Sequence, residues 1–271
     1  MARYGLCIGI NDYPGTGSDL AGCVNDANDW AKALRERGFE VARLLDRQAT
    51  GKNLRARIDA VINGAARGDT VVITYSGHGS FVPDLDGDEP DGTDECLCPY
   101  DVHSKGYLTD DELFQMYSAR AAGVKLVMIS DSCHSGTVAR FRPIDTPAVF
   151  KGTGAHRRVV RFLPPQAFLS KRELSSLGLR RAARASSPPG RHAALLMSGC
   201  QDTEYSYDAY FQGRPNGAFT YVALRALSRL GANASYQQWF NAIRQALPSQ
   251  QYPQSPNLYG STLMKRWKHL A

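Results

Sequence analysis

The sequence predicts an α/β fold in which a mostly parallel central sheet carries helices on both faces. Two observations lead to this fold class. Short apolar runs recur along the chain, and longer segments with the 3.6-residue period of amphipathic helices alternate with them. Alternating strands and helices form parallel sheets, and strands without a polar face are covered on both sides. The length of 271 residues allows one large domain of this kind or two small ones.

The expected elements follow the chain in order. Strands are expected at 3–10, 39–45, 70–76, 125–131 and 193–199. Helices are expected at 20–37, 51–66, 109–120, 217–230 and 235–247. Thr109 and Glu112 have the spacing of a capping box, and Asn216 is expected to cap the helix that follows it.

Two segments do not have the pattern of packed structure. Residues 81–95 are acidic and rich in turn formers. Residues 138–192 are rich in proline and arginine, which predicts a long, partly disordered linker with a short helix near 171–184. The net charge of +6 is concentrated at 151–192, which contains ten basic residues and one acid. Nucleic-acid binding through 151–192 is an alternative function, but only Phe162 and Phe168 accompany the charges as aromatic readers.

Composition favours a soluble protein of the cytoplasm. No apolar run approaches the roughly 20 residues that a membrane span needs, and the N-terminal segment is interpreted as a strand and not as a signal peptide. The six cysteines show no paired spacing, so reduced thiols are expected. We therefore expect a cytoplasmic protein without a membrane partner.

Two of the predicted strands end in similar, chemically unusual turns. His78 stands between two glycines after the strand at 70–76, and Cys133 follows the strand at 125–131. The carboxyl ends of parallel strands share one edge of a sheet, so the two side chains are expected to meet there. A thiol beside a histidine base is a nucleophile for acyl transfer, and the N–H groups of Gly79 and Cys133 are expected to stabilise the oxyanion. The alternative for either residue alone is a structural role in the turn.

The two turns identify a resemblance to a known family. YSGHG at 75–79 and DSCHSG at 131–136 resemble the active-site motifs of metacaspases, the caspase-like cysteine peptidases of peptidase family C14. The resemblance is closest to the bacterial, type I-like members and continues through these segments: LCIGINDY (6–13), LAGCVNDA (20–27), DGDEPDGTDECLCPYD (86–101), LTDDEL (108–113), SGCQDTEYSYDA (198–209) and NGAFTY (216–221). It implies a caspase-like fold in a single domain over 1–271. Within that domain, residues 1–137 correspond to the large subunit, 138–192 to the linker and 193–271 to the small subunit.

The resemblance also implies a substrate. Metacaspases cleave after arginine or lysine, and the residues that match their basic-side-chain pocket are Cys23, Asp26, Ser76 and Asp131. Two carboxylates in a partly desolvated pocket would hold a guanidinium by charge-assisted hydrogen bonds, which agrees with this expectation. Protein or peptide substrates and a monomeric state follow from the same resemblance. The competing interpretation is a catalytically silent caspase-like module that binds partners.

Two further properties are implied by the family. Many metacaspases need calcium, and Asp94, Asp110 and Asp111 match their aspartate ligands; a further acid is expected after the cysteine, where Asp145 is the nearby acid. Metacaspases also process themselves after basic residues of the linker. The residues that present such bonds here are Arg140, Arg142, Lys151, Arg157, Arg158 and Arg161.

Overall fold

A computed structural model describes residues 1–85, 92–104, 106–133, 149–150, 158–177, 193–201 and 204–270. The strands in these ranges are β1 (Arg3–Gly9), β2 (Glu40–Leu45), β3 (Thr70–Ser76), β4 (Gly79–Pro83), β5 (Thr93–Leu97), β6 (Leu108–Thr109), β7 (Lys125–Asp131), β8 (Val149–Phe150), β9 (Arg158–Val160), β10 (Leu195–Ser198), β11 (Tyr207–Phe211), β12 (Arg214–Gly217) and β13 (Asn257–Tyr259). The α-helices are α1 (Cys23–Arg35), α2 (Gly51–Asn63), α3 (Asp110–Ser118), α4 (Lys171–Ser176), α5 (Ala218–Leu227), α6 (Tyr236–Arg244) and α7 (Thr262–Lys265). Short 3-10 turns lie at Asp46–Gln48, Val102–Ser104 and Pro165–Ala167.

The central sheet confirms the predicted fold class. Its strand order is β13-β10-β7-β3-β1-β2, in which β13 is antiparallel to β10 and the other neighbours are parallel. The five strands expected from the apolar runs form its parallel part. β3 and β7 are direct neighbours, so the turns that follow them leave the sheet side by side.

The sheet is covered on both faces, as the apolar runs indicate. Side chains of one face, including Val72 and Val127, pack with Trp30 of α1 and Trp239 of α6. Alternate residues of the same strands point to a second core that contains Leu54 of α2 and residues of α3. This division follows from the two-residue period of a strand, which sends successive side chains to opposite faces.

Two smaller sheets correct the prediction of unpacked segments. β4, β5 and β6 form one of them, and Phe81 and Val82 of β4 are buried although the segment 81–95 is acidic and turn-rich. β12, β11, β9 and β8 form the other, which takes β9 from the predicted linker. Within residues 138–192 the structure describes 149–150 and 158–177, and the short helix expected there appears as α4.

The predicted cap of α5 is also wrong. Gly217 is the N-cap residue, and its position has no side-chain cap. The Asn216 amide instead donates to Asp26 Oδ1 at 2.9 Å and Asp29 Oδ2 at 3.0 Å. Its Oδ1, the atom that would cap the helix, accepts from the Arg214 guanidinium at 2.7 Å, so this side chain belongs to a polar network and not to the helix end.

The cysteines agree with the expectation of reduced thiols. All six cysteines are buried free thiols, without a disulfide. Among the helices that the structure describes, none has both the length and the apolar character needed to cross a membrane.

Candidate active site

The register of β3 and β7 brings the two unusual turns together. Ser76 pairs with Asp131 at the carboxyl ends of these parallel strands. His78 and Cys133 each follow two residues later, so both leave the same edge of the sheet. Both are buried, with 1% and 0% of their surface exposed.

Two tyrosines hold the turn that carries His78. The His78 N–H donates to the Tyr13 hydroxyl at 2.7 Å, and the Tyr75 hydroxyl donates to the His78 carbonyl at 2.7 Å. The Tyr13 and His78 rings lie 4.6 Å apart between centroids. A Cβ atom at Gly77 would approach the two hydroxyls to 2.6 and 2.7 Å, so this close packing requires glycine. The two tyrosines thus explain the glycine beside the histidine. Tyr75 belongs to the motif at 75–79, whereas Tyr13 lies outside it.

The hydrogen bond of the imidazole fixes its tautomer. Nε2 of His78 lies 2.6 Å from the carbonyl oxygen of Ser18. Because a carbonyl only accepts, Nε2 carries the proton and Nδ1 carries the lone pair. Nδ1 is buried and makes no hydrogen bond within the described part of the chain. Burial lowers the pKa of His78 to about 4, so the ring is neutral near pH 7 and has the protonation state of a base.

The thiol of Cys133 contacts the backbone of Ser206. Its Sγ accepts a hydrogen bond from the Ser206 N–H at 2.8 Å and donates to the Ser206 carbonyl at 3.6 Å. An N–H directed at sulfur stabilises negative charge there. Ser206 and Ser18 act through backbone atoms, which explains why no side-chain pattern in the sequence indicated them.

The carbonyl oxygen of Arg161 lies between the two N–H groups expected to form an oxyanion hole. It accepts from the Gly79 N–H at 3.1 Å and from the Cys133 N–H at 3.2 Å. These distances suit the oxygen of a reacting carbonyl group. Arg161 therefore stands where the residue before a cleaved bond would stand.

The side chain of Arg161 fills a buried pocket lined by three carboxylates. Its guanidinium lies 2.6 Å from Asp26, 2.8 Å from Asp208 and 3.2 Å from Asp131, and all four side chains are at most 3% exposed. Asp26 and Asp131 were expected in this pocket, whereas Asp208 was not. Asp208 lies in the polar segment 198–209 without periodicity or spacing that indicates a pocket, although this segment carries part of the family resemblance.

The other two expected pocket residues, Cys23 and Ser76, are buried. Cys23 is fully buried at the start of α1, in the region of the Arg161 guanidinium. Burial raises the pKa of this thiol well above its usual range, so it is neutral at pH 7. Ser76 is 1% exposed at the end of β3, opposite Asp131.

Each carboxylate of the pocket has donors besides the guanidinium. Asp131 accepts from the Ser206 hydroxyl at 2.7 Å and from the Thr220 hydroxyl at 2.8 Å. Asp26 accepts from Asn216 and from a backbone N–H, and Asp208 accepts from two backbone N–H groups of residues 21–22. These donors compensate part of the cost of burying three charges around one cation.

The pKa of Asp26 and the pKa of Arg161 depend on each other. Burial raises the pKa of Asp26 to about 7, and the Arg161 guanidinium acts in the opposite direction. Burial alone would lower the pKa of Arg161, but the carboxylates of Asp131, Asp26 and Asp208 outweigh it and raise that pKa. The arginine is therefore charged, and the ionisation of Asp26 depends on what occupies the pocket.

The backbone around Arg161 is bound as an added strand. β9 pairs antiparallel with β11, with Val160 opposite Tyr207. The Arg161 N–H donates to the Ser206 carbonyl at 2.9 Å, and the Leu163 N–H donates to the Gly79 carbonyl at 3.0 Å. Addition of a strand to a sheet edge is a common way of binding extended peptides. The expectation that Arg161 lies on a mobile linker is therefore wrong, because it is fixed on both sides of its carbonyl.

Of the proposed self-cleavage positions other than Arg161, the structure describes Arg158. Arg158 lies at the start of β9 with its guanidinium 5.1 Å from the Tyr207 ring centroid. The other proposed self-cleavage positions lie outside the described residues: Arg140, Arg142, Lys151 and Arg157.

The proposed calcium residues lie on neighbouring elements. Asp94 is on β5, and Asp110 and Asp111 open α3, which follows β6 directly; β6 pairs with β5. Within the described ranges, no group of three or more histidine, cysteine or acidic side chains has the arrangement of a metal site. Asp145, the nearby acid after Cys133, lies outside those ranges.

Comparison with known proteins agrees with the geometry. A family model described as "Caspase domain" matches residues 2–267. Metacaspase-1 of Cryptococcus neoformans var. neoformans serotype D (strain JEC21) is 35% identical over 96% of this chain, and the chain spans 62% of that protein's length. Among solved structures, protein GSU0716 from Geobacter sulfurreducens has a TM-score of 0.74 at 30% identity, with 100% of this chain and 98% of that chain covered. Caspase-1 from Spodoptera frugiperda shares the fold, with a TM-score of 0.57 at 13% identity over 95% of this chain and 86% of that chain.

Proposed function

The chain belongs to the caspase-domain family of cysteine peptidases, and on this premise we propose that it is a metacaspase-type endopeptidase that cleaves after arginine or lysine. Cys133 is the nucleophile, His78 transfers protons, and the N–H groups of Gly79 and Cys133 bind the oxyanion. Asp26, Asp131 and Asp208 bind the basic side chain before the cleaved bond, beside Cys23 and Ser76.

One observation carries the proposal. A basic side chain lies among three buried carboxylates while its own carbonyl accepts from Gly79 and Cys133. Burying an arginine is costly unless every charge is paired, so a pocket that accepts one is matched to a cation. The same three carboxylates would repel an acidic side chain, which argues against cleavage after aspartate.

The chemistry follows from these positions. Cys133 Sγ attacks the carbonyl carbon while its proton passes to Nδ1 of His78, and the oxyanion forms between the two N–H groups. The C–N bond then breaks, and His78 returns the proton to the departing amine. Water attacks the resulting thioester with His78 as base, the C–S bond breaks, and the products are a carboxylate and the regenerated thiol.

Self-processing is part of the proposed function, and the geometry favours one bond for it. Only the carbonyl of Arg161, of the proposed positions that the structure describes, is held by both oxyanion donors. We therefore expect the Arg161–Phe162 bond to be cut. In the intact chain the same segment fills the site, so it also competes with other substrates.

The other expectations remain predictions. Calcium would be bound through Asp94, Asp110 and Asp111, with Asp145 as the nearby candidate for a further acid, since oxygen ligands suit this ion. A cytoplasmic location and a monomeric state are predicted from the sequence and the family. Nucleic-acid binding by 151–192 loses support at Arg161, whose charge is buried and paired.

The direct test is turnover of a peptide panel with Arg, Lys, Asn or Asp before the cleaved bond. We expect cleavage of the Arg and Lys peptides, and loss of at least about 1000-fold in kcat for Cys133→Ala, as for removal of other catalytic nucleophiles. Cys7→Ala, a buried cysteine in β1, is the matched control and should retain activity. The same assay with and without a calcium chelator tests the calcium requirement.

Unchanged turnover in Cys133→Ala would overturn the assignment. Preferred cleavage after Asn or Asp would contradict the proposed Arg/Lys specificity but not the role of Cys133 as the nucleophile.

A further inference from the structure

The segment in the cleft defines a position on the far side of the cleaved bond. Arg161 occupies the pocket before the bond, so Phe162 occupies the position directly after it. Phe162 forms a parallel bridge with Gly79, the residue whose N–H contacts the Arg161 carbonyl. The backbone of the position after the bond is thus held by the same residue that binds the reacting carbonyl.

Aromatic side chains surround Phe162. Its ring stacks on Phe81 at 6.1 Å between centroids and 21° between planes, and lies 6.3 Å from the Tyr205 ring at 49°. Phe162 is 3% exposed and Phe81 is 8% exposed. Offset and tilted ring pairs at these distances are favourable beyond the burial of their area.

The platform under Phe162 is rigidly connected to the catalytic centre. Phe81 lies on β4, two residues after Gly79, and β4 pairs with β5 through Phe81 and Glu95. Phe81 and the oxyanion-binding N–H of Gly79 therefore belong to one paired strand. A side chain that replaces Phe162 would meet the same ring.

We propose that Phe81 and Tyr205 form the subsite for the residue directly after the cleaved bond, and that this subsite selects an aromatic side chain. The inference rests on the proposed peptidase function and adds a second specificity determinant to the basic-side-chain pocket. Preferred substrates are protein segments in which arginine or lysine is followed by phenylalanine, tyrosine or tryptophan. A charged residue at this position loses its hydration without a partner, so it disfavours cleavage.

Internally quenched peptides that differ only after the arginine test the subsite. We compare Val-Val-Arg-Phe-Leu with the same peptide carrying Ala or Asp in place of Phe. We expect kcat/KM to be about tenfold higher for Phe than for Ala, which corresponds to about 1.4 kcal/mol, within the range of an aromatic pair plus its burial.

Phe81→Leu should reduce the Phe-to-Ala ratio towards one, because leucine fills part of the space but cannot stack. Phe114→Leu is the matched control, since Phe114 lies on α3 and is 49% exposed. It should keep the wild-type ratio. A peptidyl-arginine methyl ester, whose leaving group is methanol, does not enter the subsite. The kcat/KM values of each enzyme for the two peptides are therefore divided by its kcat/KM for this ester, which accounts for any change in the rest of the site.

The outcomes separate this inference from the function beneath it. If the Arg peptides are cleaved with equal kcat/KM for Phe and Ala, the proposed aromatic subsite is wrong but the proposed peptidase function is not. A ratio unchanged by Phe81→Leu would likewise overturn it. Failure to cleave any Arg peptide or ester would overturn the proposed function itself.

Discussion

At the scale of single residues, the pocket depends on the charge state of Asp26. Its pKa is raised to about 7 by burial, and a guanidinium in the pocket acts to lower it. Removing the guanidinium therefore raises this pKa further. A cationic side chain binds the ionised form, so binding strengthens as the pH rises through the pKa of the empty pocket.

This linkage predicts a pH-dependent KM for enzyme in which Arg161 has left the pocket after self-cleavage. Between about pH 6 and pH 8, we expect KM for an Arg peptide to fall about three- to tenfold, within the limit of one proton per binding event. His78 and Cys23 face the same region but do not contribute, because the pKa of His78 is lowered to about 4 and that of Cys23 is raised well above this range. Steady-state kinetics at several pH values measures the effect.

Asp26→Asn is the matched variant, since it keeps the shape and removes the ionisation. It should raise KM and remove most of this pH dependence. A steep fall in KM with pH that persists in Asp26→Asn would show that another group controls binding.

At the scale of elements, β9 and the residue after it act as a bound ligand inside the chain's own cleft. Replacing Arg161 by Gln leaves three buried carboxylates without their cation, and breaking a buried ion pair costs about 3–5 kcal/mol. We expect the free energy of unfolding of Arg161→Gln to fall by about that amount at pH 8. Denaturant unfolding in a Cys133→Ala background, which prevents self-cleavage, measures it.

The loss should be smaller at pH 5. Asp26 binds a proton below its pKa of about 7, so fewer uncompensated charges remain there. Arg158→Gln, at the start of β9, is the control and should change stability by less than about 1 kcal/mol, as for surface pairs. Equal stability of Arg161→Gln and its parent would contradict a structural role for the buried guanidinium.

The five parallel strands of the central sheet were predictable, whereas its antiparallel strand β13 was missed and the elements of the cleft were only partly predicted. β1, β3 and β7 are apolar on both faces, which gives each an unambiguous pattern in the sequence. β4 and β9 lie in segments dominated by acids, arginines and prolines, where composition outweighs a short apolar run. These two segments form strands because of tertiary contacts, which the local sequence pattern does not reveal.

The residues of the site were likewise predictable in part. His78 and Cys133 were predictable because strand ends of a parallel sheet share an edge. Arg161 was expected on a mobile chain, since it lies in the proline- and arginine-rich segment 138–192. Its partners come from three distant parts of the sequence, so the ion pairs became visible only in the folded structure.

At the scale of the whole molecule, the site joins the two halves of the chain on either side of the linker. Asp26 and Asp131 belong to the first half and Asp208 to the second, while β7 and β10 pair across the central sheet. A cut after Arg161 would break one backbone bond and leave the sheet intact. We therefore propose that the linker segment around Arg161 is a substrate of the same chain's active site.

The N-terminal sequence and intact masses of the fragments that form when purified protein is incubated near pH 8 test this account most directly. The account predicts a new N-terminus at Phe162 in the wild-type protein, with both fragments still eluting together, and an uncut chain in Cys133→Ala. A chain that hydrolyses Arg peptides yet leaves the Arg161–Phe162 bond intact would contradict it.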